Sequence, residues 1–341
     1  MHKQWSNQTG FTIVELLIVI VVIGILAAIS IVAYSGIQQR AVAASLTSDL
    51  DNAVKLLRLD QVSGGTYPTA LALANNNKGI PASSDTTYLY TVSNTTNPQT
   101  FCITATKGTQ NYNVTQEGVP SSGVCPTLNL DASISSSYPG TGTTWTDLSG
   151  NGNNGALANG VAYSGANGGT FSFDGIDDYI SVPDNNSLHF GTGDFSVSFW
   201  CYRTASGYQG GSYILKGPYG TPGFDTFDGT FRVDTVNGNL ARVGLNTTYN
   251  VWENHIFAVN QSISPYIRHY INGVLNQTGY VESGFTGSVD SATSLVIGRS
   301  NAGGVNRYFN GSIGGVRTYN RALSVDEVSR NFNSLRSRYG I

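Results

Sequence analysis

From Leu16 to Tyr34 the chain reads LLIVIVVIGILAAISIVAY, without one charged side chain. About twenty apolar residues form a helix long enough to cross the hydrocarbon core of a bilayer, where a helix also satisfies its own backbone. Glu15 stands at the head of this run. A carboxylate near the membrane centre costs roughly 2.5–3.5 kcal/mol, so its presence there calls for a partner. A cleaved secretory signal does not fit. Its apolar part would be about 7–15 residues long and would end at a small-residue cleavage site. Here a polar, weakly basic leader, Met1–Gly10, comes first, and the apolar run follows it.

The helical pattern continues with a different character. Val42, Leu46, Leu50, Ala53 and Leu57 form one apolar stripe, while Asp49, Asp51, Lys55, Arg58 and Asp60 supply charge mostly off it. Ser63-Gly64-Gly65 and Pro68 end the pattern. The spacing predicts a helix over 11–62, roughly 78 Å long at 1.5 Å per residue. Its first half belongs in lipid or in a helical bundle; its second half needs a sheet to lie on. Residues 66–125 supply short strands at 88–92, 101–106 and 112–115, punctuated by Gly, Asn and Pro. A bridge between Cys102 and Cys125 would close a loop of about 23 residues and contribute on the order of 3 kcal/mol. Two free thiols are the other reading.

After Pro126 the pattern becomes short strands and tight turns. Stretches 170–183, 194–203, 212–216, 230–235, 240–245, 252–260, 266–276, 294–299 and 311–319 read as strands, with an Asn272-Gly273 hairpin turn. That density of short strands predicts a two-sheet sandwich. Alternation places Cys201 on the face of Phe195, Val197 and Phe199, as a small buried apolar residue. One helical turn is expected at 324–332, with Ser324 and Glu327 in capping-box positions. Charged residues are only 11% and the formal net charge is −3, so no basic field exists to hold nucleic acid.

The N-terminal residues closely resemble the class III signal of type IV prepilins and of type II secretion pseudopilins. The resemblance rests on Gly10, Phe11, Glu15 and the run Ile23-Gly24-Ile25-Leu26-Ala27-Ala28-Ile29. It implies that a prepilin peptidase cuts between Gly10 and Phe11 and methylates Phe11, and that Glu15 serves assembly with other pilin subunits. Many relatives carry proline at the position of Val32. This chain does not, so a helix break there is not expected. The disulfide-clamped sheet resembles a pilin head.

The rest resembles the laminin G-like, concanavalin A-like lectin/glucanase module. The match lies in TDLSGNGNNG at 146–155, FSFDGIDDYI at 171–180, YING at 270–273 and GSIGGVRTYNRALS at 311–324. The expected fold is therefore an α+β pilin module, a long helix on a small antiparallel sheet, followed by an all-β jelly-roll sandwich. The expected divisions are a leader at 1–10, the helix at 11–62 with its membrane part at 11–34, a head at 63–126 and the sandwich at 127–341.

Modules of this kind often hold calcium at the sandwich rim. Asp147, Asp174, Asp177 and Asp178 are the oxygen ligands such an ion would use here. Tyr208, Tyr213 and Tyr219, in a Gly/Tyr-rich stretch at 203–224, are candidates for stacking on sugar rings, as is Trp145. The glucanase pattern Glu-x-Asp-x-x-Glu is missing, Glu253 stands alone, and hydrolysis needs two carboxylates on one bond. His189, His255 and His269 read as scattered. The chain is thus expected to be no enzyme. It reads as a membrane-anchored prepilin that moves to the cell surface as a minor or tip subunit of a pilus. It would bind a glycan or another surface ligand and work with pilus or secretion assembly machinery. A secretion pseudopilin that recognises exported substrate is the alternative, and a surface glycosidase the third reading.

Overall fold

Ile13–Gly64 is one unbroken helix in the computed structural model, which describes residues 13–204, 213–227, 229–281, 285–302 and 305–341. The helix passes Val32 without interruption, as the lack of proline requires. Leu46, Leu50, Ala53 and Leu57 are fully buried, and Val42 is half-buried beside them. They meet Phe101, Ile103, Ala105 and Val114 of the head sheet. Burying each leucine contributes about 1.5–3 kcal/mol, and a unit as small as this sheet buries little without the helix.

That sheet is antiparallel, in the order Thr87–Ser93, Thr100–Lys107, Gln110–Thr115, Ser121–Ser122. The Arg58 guanidinium donates to the carbonyl of Gln116, and the Gln110 amide to that of Gln39. The sheet is thereby tied to the helix at two separated points. Cys102 and Cys125 are joined by a disulfide across a separation of 23 residues.

From Leu128 on, the strands form, among the described residues, a two-stranded ribbon, Arg299–Ala302 with Val305–Tyr308, and two large antiparallel sheets of nine and eight strands. Their inner faces share one core that includes Phe171, Phe195, Phe231, Phe257 and Ile297. Cys201 lies in this core as a free thiol, on the face set by Phe195, Val197 and Phe199. The stretch expected as a single strand at 170–183 is two. Thr170–Asp174 belongs to the eight-stranded sheet and Tyr179–Val182 to the nine-stranded one. Between them, Gly175 takes a φ of +80° and turns the chain across the sandwich. Asn272 and Gly273 both have positive φ and close the expected hairpin.

The C-terminal helix, Val325–Leu335, carries the predicted capping box: Ser324 accepts from the amide of Glu327, and Glu327 accepts from that of Ser324. Past it, Tyr339 stacks on Trp200 with ring centroids 4.1 Å apart. Tyr339 lies so close over Gly314 that a Cβ there would sit 2.1 Å from its hydroxyl. Gly314 is therefore a packing requirement of this chain. Arg338 donates to Asp131 at 2.6 Å and to the carbonyls of Asn167 and Gly169.

Head and sandwich touch through the loop after Asp147. The Thr91 hydroxyl donates to the Ser149 carbonyl at 2.6 Å. Gly150, with φ of +81°, fits under Thr91, whose carbonyl oxygen would be 2.6 Å from any Cβ at that position.

Cys102→Ser should release about 3 kcal/mol of the head's stability. Amide exchange in the strands at 87–115 should then accelerate on the order of a hundredfold, if those amides open with the head. Trp145, Trp200 and Trp252 all lie in the sandwich, so the fluorescence melt should keep its midpoint. An equal shift of that midpoint would show that head and sandwich unfold as one unit.

Candidate functional site

Two regions can carry function by chemistry. The first is the helix from Ile13 to Ile37. Its large apolar side chains are exposed wherever they are described, with Ile18 at 56% and Ile25 at 56%. Glu15 lies in its first turn. The eighteen-residue window of highest hydropathy in this helix has nothing buried. A monomer in water does not tolerate such a surface; lipid or neighbouring helices must cover it. Gly10 and Phe11 lie outside the described residues.

The second region is the acidic turn between the two sheets. Asp174, Asp177 and Asp178 bring carboxylate oxygens within 4.8 Å of one another. Asp174 and Asp177 are exposed; Asp178 is buried, with 4% of its surface accessible. Asp178 Oδ2 accepts from the amide of Asp174 at 3.0 Å, while its Oδ1 is buried without a hydrogen-bond donor. Burial pushes the Asp178 carboxyl above the ordinary range, against the pull of the Asp174 amide, and the charges of Asp174 and Asp177 add to the rise. Three converging carboxylates and one orphaned buried oxygen form a donor set suited to a hard divalent cation. Asp147 is not part of it. Asp147 is fully buried, and its oxygens accept from the amides of Asn129, Ser149 and Asn153 and from the Ser149 hydroxyl. Its acceptor positions are filled by the protein, so it organises the loop beneath the head.

Residues 5–31 match the prokaryotic N-terminal methylation motif, and residues 173–329 match the concanavalin A-like lectin/glucanases superfamily. The chain joins a pilin-type N-terminus to a concanavalin A-like domain. No curated protein matches it significantly. Among solved structures, the binding domain of Paraclostridial Mosquitocidal Protein 1 is similar at 20% identity and a TM-score of 0.47, over 61% of this chain and 52% of that one. The receptor-binding domain of botulinum neurotoxin D is similar at 18% identity and a TM-score of 0.47, over 62% and 52%. The chain spans about half the length of these structures.

Within the concanavalin A-like domain the aromatic candidates separate. Tyr213 is a core residue, stacked on Phe199 at 5.1 Å with its hydroxyl 3.2 Å from that of Thr247. It has no face to offer a sugar. Trp145 is likewise fully buried, against Phe171. Tyr219 is 46% exposed, but the Arg232 guanidinium covers its ring at 3.7 Å. Tyr208 lies outside the described residues. Part of the expected binding loop is regular structure: Ile214–Lys216 and Gly223–Phe227 are strands.

The histidines are not scattered. His255 Nδ1 lies 2.9 Å from His269 Nε2 on the neighbouring strand, and His255 Nε2 lies 3.2 Å from Glu253. His189 pairs with Asp184 at 2.9 Å. Glu253 and His255 are two residues apart on one strand and so share a face, a signal the alternation already contained. Burial alone would raise Glu253, but hydrogen bonds from His255 and Thr248 hold it below the usual range. Burial and the charge of His255 push His269 down to about 3. Both histidines are fully buried, so this chain of polar groups meets no substrate.

His269 stays neutral in the fold, whereas the unfolded chain protonates it below about 6.5. Stability is therefore present above pH 6.5 and drains away as the pH falls toward 3, at up to about 1.4 kcal/mol per unit. Asp225, raised by burial to about 7, works in the opposite direction. The comparison that isolates the histidine is wild type against His269→Asn in urea melts between pH 6 and 4. The variant should show the shallower loss of stability with acid, and equal slopes would contradict a buried neutral His269.

Proposed function

We propose that this chain is a minor or tip subunit of a type IV pilus that displays the sandwich for adhesion to carbohydrate or another surface. One observation carries the reading: a single helix is bare and apolar through Ile37 and clamped under a head from Leu46 onward. The bare half suits first the membrane and then the core of a filament; the clamped half holds the cargo outside. After processing, the Phe11 amine of one subunit would meet Glu15 of a neighbour, neutralising two charges in an apolar bundle. The sandwich is large beside the small head, and copies of it at every position would crowd a shaft. That favours a rare or terminal place.

Glu15→Ala should insert in the membrane and be processed normally, yet enter filaments at a small fraction of the wild-type level. Breaking a buried charge pair typically costs several kcal/mol. Purified filaments, blotted for this chain, give the answer; normal incorporation would remove the proposed role. Cells lacking residues 127–341 should assemble filaments and lose adhesion, and undiminished adhesion would leave the sandwich as a spacer.

We also propose calcium at Asp174, Asp177 and Asp178. The ion would offset two of the three carboxylate charges and tie the turn between the sheets. Among the described residues the Asp177 side chain makes no hydrogen bond, and its carbonyl accepts from the Asn159 amide, so Asp177→Asn removes a charge and leaves that turn contact in place. Wild-type protein with calcium at a hundred times its dissociation constant should gain about 2.7 kcal/mol over protein in chelator. The Asn variant should gain little. A melting temperature indifferent to calcium in both would rule the site out.

A further inference from the structure

Two large clefts lie along the seam between the head and the C-terminal helix of the sandwich. One, of about 800 Å³, is walled by Asn113, Ser122 and Val124 on the head side and by Tyr319, Asn331 and Leu335 on the other. The second, of about 720 Å³, is walled by Gln39 and Arg40 of the long helix, by Asn111, and by Asp326 and Arg330 of the C-terminal helix. Ser122, Arg321, Glu327 and Arg330 line both, so the clefts form one continuous trough. Each is within the size range of ligand sites, which favour seams of this kind.

The charges in the trough are unevenly committed. Arg321 is engaged by both oxygens of Glu327, and Arg317 by Asp131 and Asn129. Glu117 accepts from the Ser136 hydroxyl. Arg40 and Arg330 have no hydrogen bond or ion pair among the described residues, although both face the trough. Asp326 is the one remaining carboxylate, and it sits in the first turn of the C-terminal helix, where the helix dipole already favours it. The rest of the wall differs between the two clefts: the first exposes mainly apolar surface, with Val119, Val124, Ile134 and Leu335 beside the amides of Asn113 and Asn331, and the second exposes mainly amide and hydroxyl side chains.

We propose that this trough binds an oligosaccharide that carries carboxylates, of the uronate type. Planar guanidinium groups pair with carboxylates in two-point geometry. Neutral amides both donate to and accept from sugar hydroxyls, and the apolar surface of the first cleft suits the C–H faces of the rings. The inference rests on the carbohydrate reading of the preceding subsection. It moves the binding site from the 203–224 stretch to the seam and names the charge of the ligand.

The test uses full-length protein in detergent micelles, titrated in EDTA so that the acidic turn holds no metal. The probes are hexamers of galacturonate and guluronate and a hyaluronan hexasaccharide, each beside its methyl ester, with neutral cellohexaose and xylohexaose as further arms. At least one charged hexamer should bind, and its methyl ester at least tenfold more weakly. Arg40→Gln and Arg330→Gln should each weaken binding at least fivefold and together abolish it, with an unchanged melting temperature. Arg330→Lys, which keeps the charge, should retain part of the affinity. Asn331→Ala provides a second, uncharged probe of the same wall and should weaken binding too. Binding of only neutral sugars, or of charged ones unaffected by the double variant, would overturn the trough and leave the carbohydrate reading standing. No binding to any probe, in EDTA or in calcium, together with undiminished adhesion of cells lacking 127–341, would remove both. If the double variant lowers filament incorporation while sugar affinity is unchanged, the trough is a subunit contact and the proposal falls.

Discussion

One helix has to satisfy two surroundings at once. From Leu46 to Leu57 its apolar stripe is sealed under Phe101, Ile103 and Val114, and that burial gives the small head its core. From Ile13 to Ile37 the same helix keeps its large apolar side chains uncovered wherever they are described. A stripe on the second half lets a sheet of four short strands exist; the absence of a polar face on the first half forces it into lipid or into a bundle. Because the helix is continuous, whatever anchors the first half fixes the position of everything beyond Gly64.

The sandwich has its own core, yet it is not left to swing on a linker. The loop at 147–153 is held by the buried Asp147 carboxylate, and three side chains from it, those of Ser149, Asn151 and Asn153, donate to the carbonyl of Thr127. It then receives Thr91 of the head. A carboxylate that looks like a metal ligand in the sequence is here the hub of a joint. The 174–178 turn instead keeps an oxygen, Oδ1 of Asp178, that no donor among the described residues reaches.

Much of this was legible in the residues. The stripe at Val42, Leu46, Leu50, Ala53 and Leu57, the inward Cys201, the Asn272-Gly273 hairpin and the Ser324–Glu327 cap all followed from local periodicity or local turn chemistry. What escaped depends on which strands become neighbours. The 170–183 stretch alternates well enough to read as one strand, and only the two-sheet topology makes its Gly175 turn a crossing. His255 meets His269 because the strands Trp252–Val259 and Ile267–Ile271 pair in that register. Tyr213 and Trp145 look like loop aromatics because glycine surrounds them, but long-range packing draws them inside. The trough could not be seen at all, since its walls come from three parts of the chain far apart in sequence.

The disulfide closes at a telling place. Cys125 is just ahead of the point where the chain enters the sandwich, and Cys102 is in the strand that packs directly on the helix. A pull on the sandwich, as on a filament tip holding a surface against flow, would travel back along the chain to Cys125. There it would jump through sulfur to Cys102. The segment 103–124 is thereby bypassed: it can be loosened, but it cannot be reeled out to lengthen the tether. Tension would arrive instead at the strand Thr100–Lys107, flanked by neighbours on both sides and backed by the helix. Such a head would behave under stress as a short, stiff coupling.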